Sequence, residues 1–251
     1  MNSISSTKNP LVQAAKRLQS KAERDETGLF VCEGEHMAGE AIRAGYARTV
    51  FVDEKRLDEY AALTAGLECF AVPEHVLAAM SQVKAPQGVC AIARQPERAP
   101  LSALGSRVIL LENVQDPGNV GTILRTLDAA GFTGCVLTPG CADPFSPKAL
   151  RATMGSVFRV PLCFSPAADA LDALNAAGFE TMAAVLDGEP FYQRGETPER
   201  LCVLIGNEGA GLTAQSVARC KRRVRLPMRG GAESLNAAVA AAILMYDLMN
   251  R

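Results

Sequence analysis

An α/β fold in two parts is what this sequence predicts, and three observations carry the prediction. Short apolar runs alternate with helix-patterned stretches along the whole chain, the arrangement of sheets layered with helices. Runs such as Leu201-Cys-Val-Leu-Ile205 are apolar at every position, as a parallel sheet covered on both faces requires. Between Arg94 and Pro100 the alternation stops, and two prolines and charges without apolar periodicity mark a linker. A length of 251 residues fits one or two domains, and 48% hydrophobic residues supply a sizeable core.

In the first part, Leu11, Val12, Ala15 and Leu18 share one face and predict an amphipathic helix over 9–22. Leu29–Cys32 reads as a strand and Gly34–Ala44 as a helix stopped by Gly45. Thr49–Val52 is a strand, Leu57–Ala65 a helix, Glu68–Val72 a strand, Glu74–Ser81 a helix and Gly88–Ala93 a strand. After the linker come a strand at Arg107–Leu111 and a helix at Asn119–Ala130, capped by Asn119 and striped by Val120, Ile123, Leu124 and Leu127. Gly134–Leu137 is a strand, Pro147–Thr153 a helix, Val157–Leu162 a strand and Ala167–Ala176 a helix. Glu180–Leu186 and Leu201–Ile205 are strands, Thr213–Cys220 a helix and Arg223–Leu226 a strand. The closing helix, Leu235–Leu248 with Ser234 as its cap, is Ala- and Leu-rich and apolar nearly all round, so it should be buried on several sides.

Composition excludes several classes. No apolar run approaches the ~20 residues of a membrane span. The N-terminus lacks the apolar core of a signal peptide, which predicts a cytoplasmic protein. The eight cysteines form no C-x-x-C pair and read as small core hydrophobes, and His36 and His75 each stand alone, so no metal site is expected. A net charge of −1 gives no global nucleic-acid footprint. Locally, however, no acidic residue lies between Glu208 and Glu233, an interval holding Arg219, Lys221, Arg222, Arg223, Arg225 and Arg229. A second basic cluster is Lys8, Lys16, Arg17, Lys21 and Arg24. Each is either a solvated face or a phosphate-binding surface.

In parallel sheets ligands bind beyond the carboxyl ends of strands, which here selects the loops 112–119, 138–146, 206–212 and 227–234. Arg125 lies two turns into its helix, off the apolar stripe, either as a surface charge pairing with Asp128 or as a functional cation. Gly206-Asn-Glu-Gly-Ala-Gly-Leu212 lets backbone approach a ligand closely and carries one carboxylate, Glu208. The loop before Ser234, Leu235 and Asn236 brings two polar side chains to the mouth of a buried helix. Neither a P-loop nor a G-x-G-x-x-G is present, which disfavours nucleoside-triphosphate and NAD enzymes.

Together these segments resemble the three motifs of the SpoU (TrmH-like) RNA ribose 2′-O-methyltransferases of the SPOUT superfamily. The first is matched by Asn119-Val-Gly-Thr-Ile-Leu-Arg-Thr126, the second by Ile205-Gly-Asn-Glu-Gly-Ala-Gly-Leu212, the third by Leu226-Pro-Met228 with Ser234-Leu-Asn236 and its Ala-rich helix. Lys148-Ala-Leu-Arg-Ala-Thr-Met-Gly155 resembles the segment that lies between the first two. The resemblance implies a methyltransferase domain over 105–251 with a C-terminal trefoil knot, S-adenosylmethionine as methyl donor, and a homodimer. It also implies a small ribosomal-protein-like RNA-binding domain over 1–95. It puts the cofactor on Gly206, Leu226 and Leu235 with Thr138, Met228 and Ser234 nearby, and Arg125, Glu208 and Asn236 at the reaction centre with Asn119 in support. Ribosomal RNA is the favoured substrate, ahead of transfer RNA or of a non-catalytic RNA-binding role. Two departures stand out: Ala237-Ala238 where the family more often has Val-Ser, and an isoelectric point of about 6.2, low for an enzyme of RNA. A guanidinium resists deprotonation, so Arg125 reads as a clamp on phosphate and developing alkoxide rather than as a base.

Overall fold

The protein, seen in a computed structural model, is described over residues 2–81 and 87–249. It divides into two compact units, Met1–Pro96 with Asp143–Phe158, and Glu97–Ala142 with Arg159–Arg251.

The first unit holds a five-stranded mixed sheet built from β1 (Asn2–Ser3), β2 (Leu29–Glu33), β3 (Ala47–Asp53), β4 (Cys69–Val72) and β5 (Val89–Arg94) in the order β1-β4-β3-β5-β2. Helices α1 (Pro10–Arg17), α2 (Lys21–Thr27), α3 (Gly34–Arg43), α4 (Leu57–Thr64) and α5 (Glu74–Met80) surround it. Val12, Leu18, Phe51, Val76, Leu77 and Met80 are among the residues of one core. The single helix expected over 9–22 is two. Asn9 Oδ1 caps α1 at the Leu11 amide (2.9 Å), and Ser20 Oγ caps α2 at the Glu23 amide (3.2 Å). The carbonyls of Leu18 and Gln19 at the break are taken by the buried Arg24 guanidinium (2.7 and 2.9 Å), which also pairs with Asp143 (2.7 Å). A guanidinium brought into the interior is thus bonded on several sides, as its burial requires.

The segment Asp143–Phe158, far along the chain, belongs to this compact unit. Phe145 and Phe158 pack their rings on Phe30 (centroids 5.2 and 5.9 Å), and Phe158 also stacks on Tyr46 (5.3 Å). This use of Phe158 explains a second correction. The strand expected over 157–162 is a 3-10 turn at Ser156–Phe158 followed by a strand at Leu162–Phe164. Met154 and Gly155 both take positive φ (50° and 87°), turning the chain so that its apolar run anchors a core instead of extending.

The second unit is a six-stranded sheet, parallel throughout: β6 (Arg107–Leu111), β7 (Gly134–Leu137), β8 (Leu162–Phe164), β9 (Glu180–Pro190), β10 (Leu201–Ile205) and β11 (Arg222–Arg225), ordered β11-β9-β10-β6-β7-β8. Its helices are α6 (Pro117–Ala129), α8 (Ala167–Ala176), α9 (Ala214–Arg219) and α10 (Ala237–Met249), with Pro147–Thr153 as α7 in the other unit. Val108, Leu110, Cys202 and Leu204 pack with α8, while the alternate Ile109, Leu111 and Val203 are equally buried, so both faces are covered. All eight cysteines are free thiols. Among the described residues no helix is long and apolar enough to cross a membrane, and no group of three or more metal-ligating side chains occurs.

Both expected helix caps move. Asp116, not Asn119, caps α6, its side chain accepting from the Asn119 amide (3.0 Å) with Pro117 at the first position. Asn236, not Ser234, caps α10: its Oδ1 accepts from the amides of Ala238 (2.9 Å) and Val239 (3.3 Å). Helix α10 buries Ala237, Ala238, Ala241, Leu244, Met245 and Leu248, but Val239, Tyr246 and Met249 stay exposed, so one flank is uncovered.

Candidate active site

At the carboxyl ends of β9, β10 and β11 lies a cavity of about 330 Å³. One wall is the turn after β10. Gly206 is pressed so close to the backbone of Gly211 and Leu212 that a Cβ would collide with both. Asn207 and Gly211 exchange two backbone hydrogen bonds of 3.0 Å. The Asn207 side chain accepts from the amides of Gly209 and Ala210 (2.9 Å each) and donates to the Asn113 carbonyl (2.8 Å). The turn is therefore closed on itself and tied to the loop after β6. Its far end is held by Glu112, a buried carboxylate accepting from the Thr213 amide and hydroxyl (2.9 Å each) and from Ser216 Oγ (2.6 Å).

A second wall is a bulge in β9. Arg223 pairs with Ala183 but Val224 with Glu189, so residues 184–188 loop out between adjacent partners. Ala184, Val185 and Leu186 line the cavity, and Gly188 lies against the backbone of Arg223 and Val224 with no room for a Cβ. The remaining wall is β11 and its continuation: Val224, Leu226 and Met228, then Ser234, Leu235, and Ala237, Ala240 and Leu244 of α10. Residues 226–235 form no backbone hydrogen bond with another described residue, so their peptide groups are open to a ligand.

At the rim stands Glu208. Its carboxylate accepts from the amides of Gln115 and Asp116 (3.1 Å each) and from Asn119 Nδ2 (2.8 Å). Asn119 Oδ1 in turn accepts from Asn236 Nδ2 (3.0 Å), and Asn236 caps α10. This chain of polar contacts joins the three segments. Partial burial pushes the Glu208 pKa up, but the bonds from Asn119, from its own turn and from Gln115 and Asp116 outweigh it and leave the group below its ordinary value. The carboxylate is thus ionised and spent on donors. It organises the site and is poorly suited to take a proton.

Of the residues expected to hold a cofactor, Gly206, Leu226, Met228, Ser234 and Leu235 line the cavity. Thr138 does not: it is buried, its hydroxyl accepting from the Asn113 amide (3.0 Å) beneath the loop after β6. Of the residues expected at the reaction centre, Glu208, Asn119 and Asn236 meet in the polar chain. Arg125 sits six residues beyond Asn119, about 9 Å farther along α6, on the exposed side with Thr122. It makes no ion pair or hydrogen bond among the described residues, and Asp128, the alternative partner, pairs with Arg159 instead (2.9 Å). Sequence reasoning missed Asn207, Glu112 and the β9 bulge. Asn207 was open to recognition as an Asn in a glycine-rich turn, where its side chain bonds backbone two residues on; Glu112 and the bulge depend on partners about a hundred and about forty residues away.

This architecture, a covered parallel sheet with a cavity at its carboxyl ends walled by glycine-rich and peptide-rich loops, defines a nucleotide- or cofactor-binding α/β protein. The comparisons narrow the class. The SpoU rRNA Methylase family profile matches residues 106–246, more than half of the chain, and the chain belongs to that family. An MRM3-like substrate binding domain matches residues 9–91. The 23S rRNA (guanosine(2553)-2′-O)-methyltransferase RlmP of Bacillus subtilis is 38% identical over 99% of this chain and 99% of its own length. A 23S rRNA (uridine(2479)-2′-O)-methyltransferase of Streptomyces viridochromogenes is 30% identical over 93% of this chain and 87% of its own. An AdoMet-bound rRNA methyltransferase from Sinorhizobium meliloti superposes with a TM-score of 0.89 at 33% identity, covering 99% of this chain and 97% of that one.

Proposed function

We propose that this chain transfers a methyl group from S-adenosylmethionine to a ribose 2′-hydroxyl of ribosomal RNA, working in the cytoplasm as a homodimer. The observation that carries this reading is the cavity itself: Gly206, Leu226, Met228, Ser234 and Leu235, drawn from two separate motifs, converge on it while Glu208, Asn119 and Asn236 are joined at its rim. The cavity fits the cofactor. Its volume suits a small ligand, Ile205, Val224, Leu226 and Leu244 offer apolar lining, and the unbonded peptides of 226–235 offer donors and acceptors for polar edges. Bound there, S-adenosylmethionine supplies a methyl on a sulfonium as the electrophile.

The chain's own residues then have separable tasks. Gly206 and the loop 226–235 hold the cofactor. Asn119, Glu208 and Asn236 fix the three motif segments in register. Arg125, exposed and bonded to no described residue, holds the RNA phosphate beside the target ribose and stabilises the charge developing on the 2′-oxygen as its proton leaves to phosphate or water. Residues 1–95 form the RNA-recognition domain and 105–251 the catalytic domain, a division supported by the separate matches at 9–91 and 106–246. A trefoil knot in the catalytic domain is part of this reading through the family match over 106–246, with α10 packed against α6. The homodimer is supported by the uncovered apolar stripe Val239, Tyr246 and Met249 on α10. The two relatives named above act on a guanosine and a uridine, so the family's shared machinery leaves the base open.

The test is methyl transfer to 23S rRNA by the purified protein, with mapping of 2′-O-methyl positions. Arg125→Ala should lower the single-turnover rate about 10²–10³-fold. Its melting temperature should stay within the shift that about 0.5 kcal/mol produces, since Arg125 bonds to no described residue. Its affinity for S-adenosylhomocysteine should also hold. A rate that survives with the other two returns Arg125 to an ordinary surface charge.

A further inference from the structure

The six cations between Glu208 and Glu233 look equivalent in the sequence, and the structure sorts them into two sets. Arg219 pairs with Asp172 (3.3 Å), Lys221 Nζ donates to the Phe179 carbonyl (2.6 Å) and Arg222 Nε donates to Glu189 (2.7 Å). Arg223, Arg225 and Arg229 are exposed and make no hydrogen bond or ion pair with any described residue.

Their placement is as uneven as their pairing. β11 is an edge strand of the parallel sheet. Val224 and, past the strand end, Leu226 and Met228 line the cavity, so the alternate strand positions 223 and 225 fall off that wall, and Arg229 in the loop beyond does not line it either. Arg223 and Arg225 stand on one side of the strand, about 6.6–6.8 Å apart along it. Two like charges side by side on one strand, with a third in the loop beyond and none of them paired with a described residue, repel one another and contribute nothing to stability, so the fold itself does not account for them. A ligand that matches them carries repeating negative charge along a line and accepts two-pronged hydrogen bonds, as a phosphodiester backbone does.

Resting on the methyltransferase reading, we infer that Arg223, Arg225 and Arg229 form a rail for the phosphates of the RNA strand that presents its ribose to the cavity. Arg219, Lys221 and Arg222 are committed within the protein and take no part. The same strand would then wall the cofactor with one set of side chains and aim the substrate with the other.

The experiment compares R223Q/R225Q with R219Q/R222Q, each against wild type, in binding of a 23S rRNA transcript across a salt series. Each lost phosphate contact lowers the slope of log K against log salt by about 0.7–0.9. The rail variant should therefore lose about 1.4–1.8 of slope and the paired-arginine variant none. Melting temperature and S-adenosylhomocysteine affinity, measured on the same samples, certify that both variants are folded. Equal slopes for rail variant and wild type overturn the rail, as does an equal loss in both variants. A rail variant that binds polyglutamate more weakly at an unchanged RNA slope would assign the arginines to an acidic protein surface and also overturn it. Wild-type methylation of the transcript tests the parent reading separately: if it proceeds while the slopes stay equal, the rail alone falls, and if wild type neither methylates nor binds RNA, both fall.

Discussion

The turn 206–212 and the loop 226–235 line the same cavity with opposite internal bonding. In the turn, Asn207, Gly209, Ala210 and Gly211 are hydrogen-bonded to one another, Asn207 and Glu208 are bonded to the loop after β6, and the exit is held by Glu112. The loop opposite has no internal backbone hydrogen bond until Asn236 caps α10. Ordering a residue's backbone costs about 1–2 kcal/mol, so a wall fixed during folding presents its shape to a ligand at little further cost. A wall with open peptide groups instead lets the ligand satisfy them, and part of the binding free energy goes into ordering it. In the proposed enzyme the first sets where the cofactor lies, and the second closes over it.

The largest expected effect comes from filling one glycine in each wall. At Gly206 a Cβ meets the backbone of Gly211 and Leu212, which cannot rotate away as a side chain would. Gly206→Ala should destabilise the unit by about 1–3 kcal/mol and weaken S-adenosylhomocysteine binding by at least about tenfold. At Gly231 nothing lies within 4 Å, and Gly231→Ala should change stability by less than about 0.5 kcal/mol. Thermal melts and calorimetry on both variants check this. Equal behaviour of the two would erase the distinction between the walls.

Asn207→Ala is the next step down. It removes two acceptor bonds to the Gly209 and Ala210 amides and one donor bond to the Asn113 carbonyl. Those groups lie near the surface, where water replaces part of what is lost, so the expected cost is about 1–2 kcal/mol. The cofactor should bind several-fold more weakly, with the loss in entropy, because the turn must then be ordered by the ligand. Retained affinity at a lowered melting temperature would show that the bonding of the turn serves the fold and not the site.

What the sequence discloses follows how local each feature is. Strands Arg107–Leu111, Gly134–Leu137 and Leu201–Ile205 are legible because, after Arg107, each is an unbroken apolar run. Helix α6 is legible in its stripe but not in its cap, since Asp116 and Asn119 are both acceptable caps and only the amide geometry chooses. The basic clusters mislead most. Of Lys8, Lys16, Arg17, Lys21 and Arg24, the last is buried against Asp143, while Arg17 and Lys21 pair with Glu23 and Asp25. Asp143 lies 119 residues from Arg24, and no window on the chain brings them together. Ala237 and Ala238, a departure from the family pattern, prove buried at the start of α10, where small side chains suit close packing. In the site, the segments were legible through their residues. The polar chain that links them was not, because it depends on which oxygen of Glu208 and Asn119 meets which donor.

The smallest effect, and the finest probe of the comparison, is Glu208→Gln. The substitution keeps the shape but removes the charge that draws the Gln115 and Asp116 amides and Asn119 to one carboxylate. The side chain is largely exposed, so solvent screening limits the expected loss to about 0.5–1 kcal/mol at neutral pH. The pH dependence has a definite sign. The folded pKa of Glu208 lies below its ordinary 4.5, so its stabilisation is fully present above 4.5 and disappears as pH falls through the lowered folded value. The gap in melting temperature between wild type and Glu208→Gln should therefore be flat from pH 8 to about pH 5.5 and close toward zero in more acid solution. Methyl transfer should fall by a larger factor than stability does, because the same bonds hold Asn119 against Asn236 and so keep the first and third motifs in register. A gap that widens on acidification would mean that burial, rather than the donors, dominates at Glu208. The carboxylate would then be a proton acceptor waiting for a substrate and not part of the fixed wall.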